Sequence, residues 1–165
     1  MRKVRSALVL LCVVAVLLLV LASTAGAATK SAASGHWYWN GPDPTTVKYV
    51  GDNWFMTGWQ YGYWEGTFEG TYTDTFKFVM FKASEERAWL NIHFMMDFTG
   101  SVNGVPGTVV MRLTCRPQMS DGSWQVIGGT GGLKHLVGHG TWTFADEEWP
   151  GDWAMFDYEG TVWLP

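Results

Sequence analysis

From Tyr61 onward the chain alternates apolar and polar residues with a period of two, and this restricts it to sheet. Trp64, Gly66, Phe68, Gly70 and Tyr72 fall on one parity while Glu65, Thr67, Glu69, Thr71 and Thr73 fall on the other, the mark of a strand with one buried face. Leu90, Ile92, Phe94, Met96 and Phe98 repeat the pattern against Asn91, His93, Asp97 and Thr99, and Val109, Met111, Leu113 and Cys115 repeat it against Thr108, Arg112, Thr114 and Arg116. Asn103-Gly104 lies between these two runs and is hairpin chemistry, because both residues accept positive φ. No segment past the N-terminal apolar run sustains a 3.6-residue apolar period. Helix is therefore expected to be nearly absent.

The chain begins with a different kind of segment. Arg2, Lys3 and Arg5 precede an uninterrupted apolar run of fifteen residues, Leu8 to Ala22, and Ala25-Gly26-Ala27 supplies the small residues that a signal peptidase reads. A membrane-spanning helix needs about twenty apolar residues, so residues 1–27 read as a cleaved export signal, with an uncleaved membrane anchor as the alternative. The destination is then secreted or extracytoplasmic, and membrane contact is confined to this segment. Intact-mass analysis of exported protein is expected to show a chain beginning at Ala28; a chain beginning at Met1 would select the anchor.

Removal of 1–27 leaves 138 of the 165 residues, a single-domain length. It also removes three of the eleven Lys and Arg, so eight remain against fifteen Asp and Glu. An acidic chain with scattered basic residues has no footprint for nucleic acid. Only Cys115 is left of the two cysteines, so no internal disulfide can form. Residues 28–35 are small and polar and read as a flexible lead-in, and 36–165 as one domain. Within it Gly41-Pro42-Asp43-Pro44 is turn chemistry, Thr46 to Val50 and Asn53 to Gln60 read as short strands, and Met155 to Leu164 as the last strand.

About eight strands joined by short turns give an all-β fold, a sandwich or a closed antiparallel barrel. Gly66, Gly70, Gly100, Gly140 and Gly160 sit inside strand patterns, where they permit the bends that closure requires, and this favours the barrel. The sequence aromatic-Glu-Gly-Thr occurs at Trp64, at Phe68 and again at Tyr158. Since first and last strands pair in a closed barrel, the strand of Glu159 is expected beside that of Glu65.

The densest glycine cluster follows Trp124. Val126-Ile127-Gly128-Gly129-Thr130-Gly131-Gly132-Leu133, with Leu136 and then Gly138-His139-Gly140, resembles the G-G-T-G-x-[F/L] signature and trailing G-x-G of the allene oxide cyclase and dirigent barrels and of related bacterial families. The likeness runs in outline from Tyr61 to Trp163. It implies an eight-stranded antiparallel barrel of the calycin type, with an interior cavity for an apolar small molecule and assembly as a homo-oligomer. Allene oxide cyclases rearrange a fatty-acid epoxide and dirigent proteins orient phenolic radicals. The polar pocket residues of those families match no positions here, so the resemblance carries over no catalytic residue.

Read on its own chemistry, the cluster is a corner. A dinucleotide fingerprint would need glycine at Lys134 and a long helix after it, and a phosphate loop would need Lys-Ser or Lys-Thr after the last glycine. Gly128 to Gly132 are therefore assigned to turning the chain, with Leu133 and Leu136 plugging the barrel end. His135 and His139 have the spacing of a helical zinc pair, but Gly138 opposes helix and the intervening glutamate is replaced by Leu136. No metal or cofactor is assigned. Glu65 and Glu69, taken as one straight strand, would lie about 13 Å apart, beyond the roughly 5 to 9.5 Å of glycosidase carboxylates.

Three functions remain. The first is an exported barrel that binds an apolar or aromatic small molecule in its interior, with Trp64, Phe68, Leu90, Ile92, Phe94, Met96 and Phe98 as lumen or core residues. The second is an isomerase or cyclase acting on a lipid-like substrate, which requires Asn91, His93 or Asp97 to reach the cavity. The third is a Trp-rich carbohydrate-binding or assembly module that uses Trp37, Trp39, Trp54, Trp59, Trp149 and Trp153 as surface rings.

Overall fold

A computed structural model describes residues 29–41, 43–82, 89–115, 120–145 and 153–165, with the backbone alone for Trp89 and Leu90. Residues 1–27, read from the sequence as an export signal, and the acidic stretch 146–152, with Trp149, lie outside these residues. Among them are nine strands and no helix: β1 Ser31–Trp39, β2 Asp43–Val50, β3 Asn53–Gly66, β4 Phe68–Phe81, β5 Trp89–Val102, β6 Val105–Cys115, β7 Asp121–Gly131, β8 Val137–Phe144 and β9 Ala154–Trp163. Each strand from β3 to β9 pairs antiparallel with the next, and β1 pairs with both β9 and β3. That double pairing closes an eight-stranded barrel. The ninth strand, β2, pairs only with β3, along the part of it that runs past the end of β1.

Closure differs from the expected arrangement. The strands of Glu65 and Glu159 are not neighbours, because β1 lies between them: His36 is opposite Glu65 and Ser34 is opposite Glu159. Residues 31–35 are thus strand and not lead-in. At Gly35 the small residue reflects close packing, since a Cβ there would lie 1.9 Å from the Glu65 carbonyl oxygen. A second difference is at Thr67, where the chain reverses. Trp64 is opposite Gly70, so Trp64 and Phe68 belong to two strands that face inward together, and the straight-strand separation of Glu65 and Glu69 does not apply.

The glycine corner is narrower than its composition suggests. Gly128, Gly129 and Thr130 are in β7, paired with Val110, Val109 and Thr108, and a bulge at Ile127 shifts the register. The chain turns from Gly131, whose φ is +62°, and Leu133 and Leu136 are buried at that end of the barrel. At the same end Asn103 and Gly104, both with positive φ, form the two-residue hairpin turn between β5 and β6.

Candidate functional site

The barrel interior is filled by side chains near the Leu133 end. Trp64, Phe68, Phe98, Trp124 and Tyr158 pack edge to face or tilted, with centroids 4.6 Å apart for Trp64 and Tyr158 and 5.7 Å for Phe68 and Phe98. These geometries suit ring quadrupoles. Most of the polar atoms on these rings are used inside the protein. The Phe68 N–H donates to Tyr158 Oη (3.0 Å), which donates to the Glu65 carbonyl (3.2 Å), and Trp124 Nε1 donates to the Glu159 carbonyl (3.2 Å). Trp64 Nε1 points at Met96 Sδ, 3.2 Å away. Burial pushes the Tyr158 phenol up to about 12 against these hydrogen bonds, so it stays a neutral hydroxyl.

The six side chains described among the interior residues, Trp64, Phe68, Ile92, Phe94, Met96 and Phe98, are all buried and belong to this one core. Leu90 is described by its backbone, opposite Met80. Asn91, His93 and Asp97 lie on the other parity and are exposed on the outer face. Of the Trp residues set apart as surface rings, Trp37 is buried and stacks on Phe156 at 4.1 Å, Trp39 and Trp153 are half-buried, and Trp54 and Trp59 are exposed.

Among the described residues, two regions stand out for concave or uncovered apolar surface. One is an open groove of about 590 Å³ on the outer face of β1, β9 and β8, among Ser34, His36, Thr141, Thr143, Asp157 and Glu159. His36 Nδ1 and Asp157 Oδ1 are 2.7 Å apart there, with both side chains about half exposed. The other is the barrel end opposite Leu133. Here β3, β4 and β5 run on past the end of β1, and β2 flanks them as an arm. Their inward apolar face continues outward: Phe76 is 4% exposed, Met56, Phe78 and Met80 are half-buried, and Trp54 is 38% exposed. Val47 and Tyr49 extend the same face on β2, since they pair with Met56 and Trp54, and the Tyr49 and Trp54 rings meet edge to face at 5.5 Å. Trp39, Phe144 and Phe156 form the opposite wall of this mouth, with Phe156 5.4 Å from Phe144 and 6.2 Å from Trp39.

The mouth also has polar members that the sequence reading did not single out. Gln60 and Asp74 face inward, opposite each other on β3 and β4, and both are buried. Asp74 could have been found, because its parity is that of Phe68, Tyr72 and Phe76. The indole N–H groups of Trp37, Trp39 and Trp142 are buried without an acceptor. The arrangement can hold a ring or chain against an apolar wall, the larger part of a ligand pocket's make-up, while the polar atoms just named lie buried beneath that wall. Among the described residues no three His, Cys, Asp or Glu side chains are grouped so as to hold a metal ion.

No family model matches this chain, and no curated protein matches it either. Among solved structures it is similar to a protein of unknown function from the DUF3224 family of Shewanella oneidensis MR-1, at 16% identity, over 84% of this chain and 99% of that one, with a TM-score of 0.60. It also aligns with a pterocarpan synthase dirigent protein at 14% identity, over 82% of this chain and 88% of that one, with a TM-score of 0.45. The first likeness is one of fold alone.

Proposed function

We propose that this protein binds an apolar or aromatic small molecule at the open end of its barrel, against Trp54, Met56, Phe78 and Met80, in an extracytoplasmic compartment reached through its N-terminal segment. One observation carries the reading: the inward apolar face does not stop where the barrel core stops, but runs out onto the arm with its side chains partly uncovered. Burial of such side chains is favourable by roughly 25 cal/mol per Å², so a flat or elongated apolar ligand gains most on this face. Toward the Leu133 end, among the described residues, Trp64, Phe68 and Phe98 fill the interior instead. A catalytic role gains nothing from Asn91, His93 and Asp97, which face away from the interior.

The test is a titration of the full chain with oleate and with 1-naphthol, followed by Trp fluorescence and native mass spectrometry. Saturable quenching and a retained adduct are expected, with affinity reduced about tenfold or more in Phe78→Asp, whose charge would have to be desolvated by the ligand. Bare protein with both probes and no quenching would overturn the reading. A second reading rests on the outer face of β3, where the Trp59 and Tyr61 rings lie 5.9 Å apart and Tyr61 and Trp153 also 5.9 Å apart. Retention on insoluble cellulose or chitin, lost in Trp59→Ala, would favour that surface as a carbohydrate platform.

A further inference from the structure

We propose that in the folded protein Asp74 keeps its carboxylic proton at pH values where an exposed aspartate has lost it, joined to Gln60 by a reciprocal pair of hydrogen bonds, and that this proton fastens the β2–β3 arm to the barrel. Gln60 is 2% and Asp74 3% exposed. Gln60 Nε2 donates to Asp74 Oδ2 at 2.8 Å, which uses one atom of each group. The remaining pair, Gln60 Oε1 and Asp74 Oδ1, is also buried, and neither atom meets a protein donor. With Asp74 ionised, both are acceptors, and each bears the full cost of a desolvated polar atom without a partner. A proton on Oδ1 turns one acceptor into a donor, and in the proposed reciprocal pair it bonds to Gln60 Oε1, so a single proton satisfies both.

The surroundings do not favour the anion. Burial raises the Asp74 carboxyl, the Gln60 hydrogen bond lowers it and Asp97 raises it further, for a value of about 7. Tyr72, two residues back on the same inward face, is itself pushed well above the ordinary phenol range by burial and by Asp74. The inward neighbours across the sheet, Gly62 on β3 and Met96 on β5, carry no charge. The charged residues of the adjoining segments, Asp43 on β2, Lys77 on β4, Asp97 on β5 and Arg112 on β6, are all exposed. No cation among the described residues is buried beside this pair.

The location gives the proton its role. At Gln60 the far edge of β3 changes partner, since Gly62 pairs with Trp39 of β1 and Trp59 pairs with Asp43 of β2. Among the described residues a single backbone bond spans the change, from the Asn40 N–H to the Tyr61 carbonyl at 3.3 Å. The pair therefore lies beneath the junction of barrel and arm. Every residue of β2 is exposed, so the arm is the segment with least burial to resist a charge at its base.

The experiment is a ¹³C NMR titration of the Asp74 carboxyl in the full chain, with amide hydrogen exchange measured alongside. A midpoint of about 7 is expected, and a midpoint near the ordinary value of about 4 would overturn the proposal. Exchange in β2 and in the β2-paired part of β3, corrected for the intrinsic rate, is expected to quicken about tenfold relative to β6 and β7 between pH 6 and 8. That change should be absent in Asp74→Asn, whose amide can pair with Gln60 at any pH. Equal exchange in arm and barrel across this range would remove the proton's role at the junction. The titration is read on the unsubstituted chain and stands whether or not the variant folds.

Discussion

Gly140→Val is expected to abolish the folded barrel. A Cβ at this position would lie 1.9 Å from the Glu159 carbonyl oxygen, 2.6 Å from Trp124 Nε1 and 2.7 Å from the Gly160 Cα. None of these is the free end of a flexible side chain. Gly140 and Gly160 are opposite each other on β8 and β9, and Gly140 is also opposite Trp124 on β7. The two missing side chains make the space in which the Trp124 ring lies over the sheet, where its Nε1 reaches the Glu159 carbonyl. A valine would have to displace both that ring and a neighbouring backbone, a cost on the order of 5 kcal/mol, comparable to the whole stability of a domain of this size. Gly129→Val belongs with it, since its Cβ would meet the Leu133 carbonyl at 2.4 Å. Gly128→Ala is the control: nothing lies within 4 Å of the added atom, and a change within about 1 kcal/mol is expected. Soluble yield and thermal denaturation of the three variants decide the matter. A folded Gly140→Val protein with near-native melting would show that the sheet around Trp124 can spread.

The contrast between Gly128 and Gly140 shows how far the sequence could be read. Alternation exposed the inward faces of β4, β5 and β6, because one face of each meets the core and the other meets solvent. The same rule fails at β1. Trp37 and Tyr38 are adjacent and both buried, since Trp37 stacks on Phe156 inside the barrel while Tyr38 stacks on Tyr63 at 4.3 Å outside it. Where the outer face is covered too, as at Tyr38, the strand loses its period, and the small residues at its start look like linker. The β3–β4 reversal was hidden for the opposite reason. Thr67 replaces one strand position, so the parity of Trp64 and Phe68 survives the turn and mimics a single long strand. The glycine cluster was legible as structure, yet its composition could not separate the strand glycines from Gly131, where the turn begins. At the open end, the half-buried state of Met56, Phe78 and Met80 depends on how far β3 to β5 outrun β1, and relative strand ends are not written in local pattern.

Asp74→Asn is expected to remove a pH-dependent loss of stability between pH 4 and 7. The folded carboxyl is raised from 3.8 to about 7, so between these values the folded chain binds a proton that the unfolded chain has released. Its contribution to stability then falls as pH rises through this window, fully present below the unfolded value and lost above the folded one. A shift of this size corresponds to a loss on the order of 4 kcal/mol. The side chain is almost wholly buried, so solvent screening removes little of it. The asparagine amide of the variant has no proton to lose and can still donate to Gln60 Oε1 while accepting from Nε2. The variant should therefore denature at higher urea than the parent at pH 8, and the difference should shrink toward zero at pH 4. Subtracting one profile from the other cancels the exposed carboxylates, including Asp157, which remain in both chains. A parallel pair of profiles would mean that Asp74 is ionised in the fold at neutral pH, with its second oxygen satisfied by some other donor.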